Sequence, residues 1–167
     1  MPWSMTRPRD PNERAYQSLV ALLPDPWSAD EFVDLVAADR GRPIRLLPHQ
    51  LSTGDATGYA LRRASQDVVV VPTTATGSRR DAIICHELVH IVLDHAPHVT
   101  DDIEFLKMLA PHCPPELLER FLARDGYDTD DERTAETMAT RLITRAQTRI
   151  QHRTTSGELD RLTTRLR

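Results

Sequence analysis

The spacing of hydrophobic residues changes along this chain, and each change marks a different kind of element. Asp10-Pro11-Asn12-Glu13 sets a capping residue, a proline at the first helical position and an acid two places on. That arrangement predicts a helix from Pro11 to Leu23, ended by Pro24 and Pro26. Ser28-Ala29-Asp30-Glu31 is a second capping box, and Phe32, Val33, Leu35 and Val36 follow at helical spacing until Gly41 stops the run. The period then shortens. Ile44 to Leu47, Gly58 to Arg62 and Asp67 to Val71 are short β-prone runs separated by turn residues, so at least three strands are expected. Four consecutive valines in the third run predict a strand covered on both faces, or on one face near an edge.

Helical spacing returns after Thr76-Gly77-Ser78, where the segment from Ser78 to Asp81 offers a cap. Between Ala82 and Leu93 only His86, Glu87 and His90 are not apolar, which predicts a buried core helix. Beyond Pro97, stretches from Asp101 to Leu109 and Pro115 to Arg124 are expected to be helical, separated by Pro111, Pro114 and Pro115. A long helix is expected from near Asp130, with Ala135, Met138, Ala139, Leu142, Ala146 and Ile150 as its apolar stripe. Ser156-Gly157 is expected to interrupt it before a short terminal helix carrying Leu159, Leu162 and Leu166. The pattern implies an α+β fold: a small sheet of about three strands packed against a helical bundle.

At 167 residues the chain fits one domain. Its core is expected over 28–146, with a helical extension over 1–27 and a basic helical tail over 147–167. A hydrophobic content of 40% with 28% charged residues is globular, and a net charge of -4 gives no whole-chain reason to expect direct nucleic-acid binding. No apolar run reaches membrane-span length and the first residues lack the apolar core of a signal peptide, so a cytoplasmic protein is expected. Cys85 and Cys113 are too few for a disulfide framework, and Cys85 reads as packing rather than as a metal ligand.

The buried helix carries the chemistry. His86-Glu87-Leu88-Val89-His90 reads H-E-x-x-H, a spacing that stacks two imidazoles on one helix face with a carboxylate beside them. Unpartnered polar groups in such a helix would each cost about 2–7 kcal/mol, whereas a zinc ion satisfies all of them. Zinc brings its bound water to a pKa near 7, and Glu87 is placed to accept that proton as general base and return it to a leaving amine. A hydrolase is therefore expected. A third ligand is needed. The metzincin pattern is excluded, because positions 93 and 96 hold Leu93 and Ala96. Asp94, His95 and His98 lie on other faces or at the frayed helix end, where they cap or solvate it. Glu132 lies 42 residues beyond His90, at the start of the long helix, where Ala135 and Ala139 permit close approach. It fits a metal ligand and, with Thr129, equally fits a capping box. Tyr59, His112, Tyr127 and His152 are candidate oxyanion donors. The run from Gly58 to Arg62 is a candidate edge for strand addition by a peptide.

H-E-x-x-H followed by Glu132-Arg133-Thr134-Ala135-Glu136-Thr137-Met138-Ala139, behind an N-terminal helix and a small sheet, resembles the ImmA/IrrE family of gluzincin-like metallopeptidases over about 28–146. The chain departs from that family's usual pattern at Val89, Glu136 and Leu142-Ile143-Thr144. The resemblance implies His86, His90 and Glu132 as zinc ligands and Glu87 as catalytic base. Glu136 reads either as an outer acceptor orienting a ligand histidine or as a solvent-facing acid. The resemblance also implies a protein substrate, a DNA-binding regulator of the helix-turn-helix type. The alternative from another class is a zinc-stabilised, non-catalytic interaction module, an antirepressor or toxin-like component that sequesters a regulator. Retention of Glu87 favours the enzyme, since a structural zinc site needs no general base.

Charge is uneven. Asp94 to Glu136 holds 12 acids against four bases, while Arg141, Arg145, Arg149 and Arg153 recur every four residues in the basic tail. Like charges at that spacing repel, and a solvated face or pairing with the protein's own acidic segment is expected for them, ahead of docking to a partner or to nucleic acid.

Overall fold

A computed structural model describes residues 10–50, 58–96 and 129–165, with side chains described as far as residue 148. The first helix, α1, spans Pro11–Ala21, and the Asp10 carboxylate accepts the Asn12 N–H at 3.1 Å. It ends earlier than its sequence predicts. The N–H groups of Leu22 and Leu23 turn back to the carbonyls of Leu19 and Val20, tightening the last turn ahead of Pro24. Helix α2 spans Ala29–Arg40, with Ser28 Oγ accepting the Glu31 N–H at 3.2 Å and Gly41 closing it at φ 61. That left-handed conformation is why a glycine stands there.

Three strands follow: β1 (Ile44–His49), β2 (Tyr59–Arg62) and β3 (Asp67–Pro72). The order is β1-β3-β2, so β3 is central. It pairs in parallel with β1, Ile44 opposite Asp67 through His49 opposite Pro72, and antiparallel with β2, Tyr59 opposite Val70 through Arg62 opposite Asp67. Every residue of β3 is buried, which accounts for its run of valines. Strand β2 forms an edge of this mixed sheet.

One end of the sheet is locked by Asp67, whose side chain is fully buried. Arg42 Nε lies 2.7 Å, Arg40 Nη2 3.4 Å and Arg62 Nε 3.7 Å from its carboxylate. Arg42 also donates to the carbonyls of Arg63, Ala64 and Gln66, and Arg62 pairs with Asp94. A buried carboxylate needs this degree of pairing, because an isolated charge would not stay ionised there.

Helix α3 spans Gly77–Val92. The expected cap at Ser78 to Asp81 is not made: Thr76 is the N-cap and its side chain makes no capping bond. The polar residues of the first turns instead fasten the helix to α2 and the segment before it. Asp81 accepts Trp27 Nε1 at 2.9 Å, and Arg80 forms a bidentate pair with Asp30 at 2.7 and 2.9 Å, which holds that carboxyl below its usual range. The last described helix, α4, runs from Thr129 to Arg165. Ser156-Gly157 does not interrupt it, since neither residue removes a backbone N–H and one interior glycine weakens a helix by only about 1 kcal/mol.

These elements share one core, to which α1 gives Leu19, α2 Phe32, β3 Val69, α3 Ile84 and Leu88, and α4 Ala135 and Leu142. Helix α1 thus contributes side chains to that core. The fold is α+β, a three-stranded mixed sheet packed against helices. Arg141 does not face only its like-charged neighbours: it pairs with Glu13 at 3.1 Å and lies 3.7 Å over the Tyr16 ring. Among the described residues, no helix is long and apolar enough to cross a membrane. The helices expected between Asp101 and Arg124, and the residues His98, His112, Cys113 and Tyr127, lie outside the described residues, as do the side chains of Arg149, Ile150, His152 and Arg153.

Candidate metal centre

Helices α3 and α4 meet where His86 and His90, one turn apart, face Glu132. His86 Nε2 lies 3.0 Å from His90 Nε2 and 3.2 Å from Glu132 Oε2, and His90 Nε2 lies 3.4 Å from Glu132 Oε1. Ligand atoms placed about 2.0–2.2 Å from one ion in a tetrahedron stand roughly 3.3–3.6 Å from each other. The three observed separations lie at or slightly below that spacing, close enough for the residues to fit a divalent cation. Among the described residues this is the group of His, Cys, Asp and Glu side chains that could hold one. Small residues make the meeting close: Ala135 and Ala139 are buried on the α4 face that carries Glu132.

Burial decides the state of the ligands. His90 is fully buried and its pKa is lowered to about 3, first by desolvation and then by His86 and His95. It is therefore neutral at ordinary pH, with a nitrogen lone pair to offer. His86 is half-buried and opens toward a cleft.

Glu87 is only 2% exposed and stands outside the three-residue group. Its carboxylate faces the start of β2, where Oε1 would be 3.2 Å from a Cβ placed on Gly58. The Glu87 carboxylate is thus buried next in sequence to His86 without belonging to the group. From the sequence Gly58 reads as the first residue of an edge strand offered to a peptide, with no contact to Glu87 expected. An isolated glycine at a strand end does signal close backbone approach, and that is what it does here.

The remaining candidates separate clearly. Glu136, one turn beyond Glu132, is exposed and lines the cleft, and among the described residues it makes no bond to a histidine. Tyr59 opens β2 next to Gly58 and is half-buried. His112 and Tyr127 fall outside the described residues, and His152 lies in α4 beyond the described side chains. Cys85 is buried away from the group, and burial, aided by Asp81, pushes its thiol up to about 12. Packing is its role.

His95 is not at a solvated helix end. The chain leaves α3 at Leu93, Asp94 takes φ 62, and this bend returns His95 toward the site. Its ring centroid lies 5.4 Å from that of His90, and Nε2 is 3.3 Å from Asp131, the neighbour of Glu132. His95 thus braces the end of α3 against the start of α4. Helical periodicity could not place it, because periodicity no longer holds once the chain turns left-handed.

The cleft beside His86 measures about 410 Å³, and Glu132, Arg79 and Ile143 are also among its walls. No protein-family model matches this chain, and no curated protein matches it.

Proposed function

We propose that this protein is a zinc-dependent endopeptidase of the ImmA/IrrE type that cleaves a protein substrate, a helix-turn-helix transcriptional regulator, in the cytoplasm. The observation that carries the reading is the convergence of His86, His90 and Glu132 from two helices, with the buried carboxylate of Glu87 beside them and outside the ligand set. Two imidazoles and one carboxylate are a ligand set of catalytic zinc, which keeps a fourth position for water. Bound zinc would supply a Lewis acid for the scissile carbonyl and an acidic water. Glu87 would be the residue that holds the proton shed by the attacking water and returns it to the leaving amine. His90, held neutral, serves as ligand without first shedding a proton. Edge strand β2, whose start touches Glu87 through Gly58, is the place for a substrate strand to pair.

The test has two parts. Protein purified without added metal is analysed for zinc, and stoichiometric zinc is expected. The zinc-loaded chain is then incubated with the DNA-binding regulator encoded beside it, comparing wild type, Glu87→Gln and Glu132→Ala. Cleavage by wild type alone supports the reading. Equal cleavage by Glu87→Gln rejects the mechanism, and tight binding without cleavage by any form would favour a sequestering module.

A further inference from the structure

Glu132 is the third donor of the candidate centre, and it stands in the weakest part of its helix. It belongs to the first turn of α4, where the backbone N–H groups have no partners within the helix. Helix ends open at little cost in free energy, and the first buried residue of α4, Ala135, comes only after Glu132. His86 and His90, in contrast, ride on a helix whose neighbouring residues are buried.

Asp131 ties that first turn to α3. The two consecutive acids diverge: Glu132 reaches His86 and His90, while Asp131 Oδ1 lies 3.3 Å from His95 Nε2. The end of α3 places His95 for this contact. The Asp94 N–H turns back to the Ile91 carbonyl at 3.3 Å and the His95 N–H to the His90 carbonyl at 2.8 Å, the paired bonds of a Schellman motif. The left-handed position of that motif, where glycine is usual, is taken by Asp94 at φ 62. Arg62, at the end of β2, pairs with the Asp94 carboxylate and also faces buried Asp67 at 3.7 Å, so the bend is fastened to the sheet. His95 therefore hangs from the carbonyl of one candidate ligand residue and sets its ring edge-on to the ring of that same residue. The buried Nδ1 of His95 makes no hydrogen bond among the described residues, which leaves Asp131 as the polar contact of the ring.

We propose that His95 and Asp131 are positioning residues for the metal: the pair holds the first turn of α4 against the end of α3, so that Glu132 already faces the two histidines before an ion binds. The proposal rests on the metal site of the zinc-peptidase reading and adds the residues that preorganise it. Neither side chain belongs to the donor group itself. Without the pair, the ordering of this turn would be drawn from the binding energy of the metal, and affinity falls by that amount.

The test reads metal binding rather than turnover. Zinc dissociation constants of the folded full-length protein are measured by competition with a chelator of known affinity, and urea midpoints of the metal-free forms are recorded in parallel. His95→Phe keeps a ring against His90 and removes the nitrogen that faces Asp131, while Asp131→Asn keeps the shape and removes the charge. Each is expected to weaken zinc binding about tenfold or more, the usual effect of losing a contact that orients a ligand. The double variant is expected to bind no more weakly than the weaker single, because both changes remove the same contact. His95→Gln, which returns an N–H within reach of Asp131, should recover part of the loss. Asp130→Asn makes the same change of charge one residue away, at an exposed side chain that pairs with Arg133, and should bind zinc as wild type does. A merely structural role would lower the urea midpoint and leave the zinc Kd unmoved. Wild-type zinc affinity in both His95→Phe and Asp131→Asn, or an equal loss in Asp130→Asn, overturns the proposal while the metal site stands. Weakened binding in these variants of a protein that cleaves no regulator keeps the positioning pair and removes the peptidase reading. A chain that takes up no zinc overturns both.

Discussion

Gly58 lies directly against Glu87. A Cβ on the glycine would sit 3.2 Å from Glu87 Oε1, 3.1 Å from the Val70 carbonyl oxygen and 2.5 Å from Ile83 Cγ2. The last distance is shorter than any carbon–carbon contact a packed interior tolerates, so bare backbone is what lets α3 settle onto the start of β2. The consequence reaches the site. Glu87 packs against the backbone at the start of β2, on the same helix as the two histidines.

Gly58→Ala should therefore disturb stability and turnover together. Ile83 must shift to admit the methyl group, at a cost of about 1–3 kcal/mol for an overpacked core, read as a fall in urea midpoint. Displacement of Glu87 is expected to lower kcat about tenfold or more with zinc content unchanged, since small misplacements of a reacting group are expensive. In a Glu87→Gln background the same substitution should lower kcat no further. Wild-type midpoint and kcat in Gly58→Ala would show that the close approach has no functional weight.

Local signals made much of this fold readable beforehand. Ser28 and Gly41 bound α2 as expected, because capping chemistry acts within a few residues. The valine run of β3 read as a covered strand, which it is. His86 and His90 were readable because one helical turn fixes their relation. Glu132 was ambiguous, since the requirements of a helix start and of a metal ligand look alike in a sequence. The three-arginine clamp on Asp67, the brace between His95 and Asp131, and the fit of Gly58 to Glu87 all join elements distant in the chain. No periodicity encodes such contacts, and they emerge only once packing brings the elements together.

The Asp67 clamp gives the clearest stability prediction. Replacing Asp67 with Asn removes the one buried anion facing Arg40, Arg42 and Arg62 and leaves their charges partly buried. Breaking a buried pair from one side costs about 3–5 kcal/mol, and the lower end applies because the arginines keep some contact with water. Urea unfolding should register a loss of about 3 kcal/mol. A loss below about 1 kcal/mol would show that the clamp is energetically idle.

Stability of the metal-free protein should depend on pH through His90. Its folded pKa near 3 lies below the unfolded value of about 6.5, so the unfolded chain takes up the proton first. Above pH 6.5 the group is neutral in both states and contributes no slope. As pH falls from about 6.5 toward 3, the folded state must keep His90 uncharged, and this group removes up to about 1.4 kcal/mol of stability per pH unit. Urea midpoints of the metal-free protein at pH 7, 6 and 5 should fall accordingly, and the fall should be shallower in His90→Gln. Parallel pH profiles for the two proteins would exclude His90 as the source.

Zinc addition separates ligands from base without requiring a substrate. A metal bound only by the folded state stabilises by about 2.7 kcal/mol at one hundred times its Kd, equivalent to a rise of about 5–10 °C in Tm for a chain of this size. His86→Ala, His90→Ala and Glu132→Ala each remove one of the three converging donors and should lose most of that rise. Glu87→Gln should keep it, because the Glu87 carboxylate faces Gly58 and stands outside the donor group. The expected pattern is thus three variants blind to zinc and one that responds to it yet fails to cleave. If Glu87→Gln also lost its response to zinc, Glu87 would belong among the ligands, and the proton transfer assigned to it would need another group.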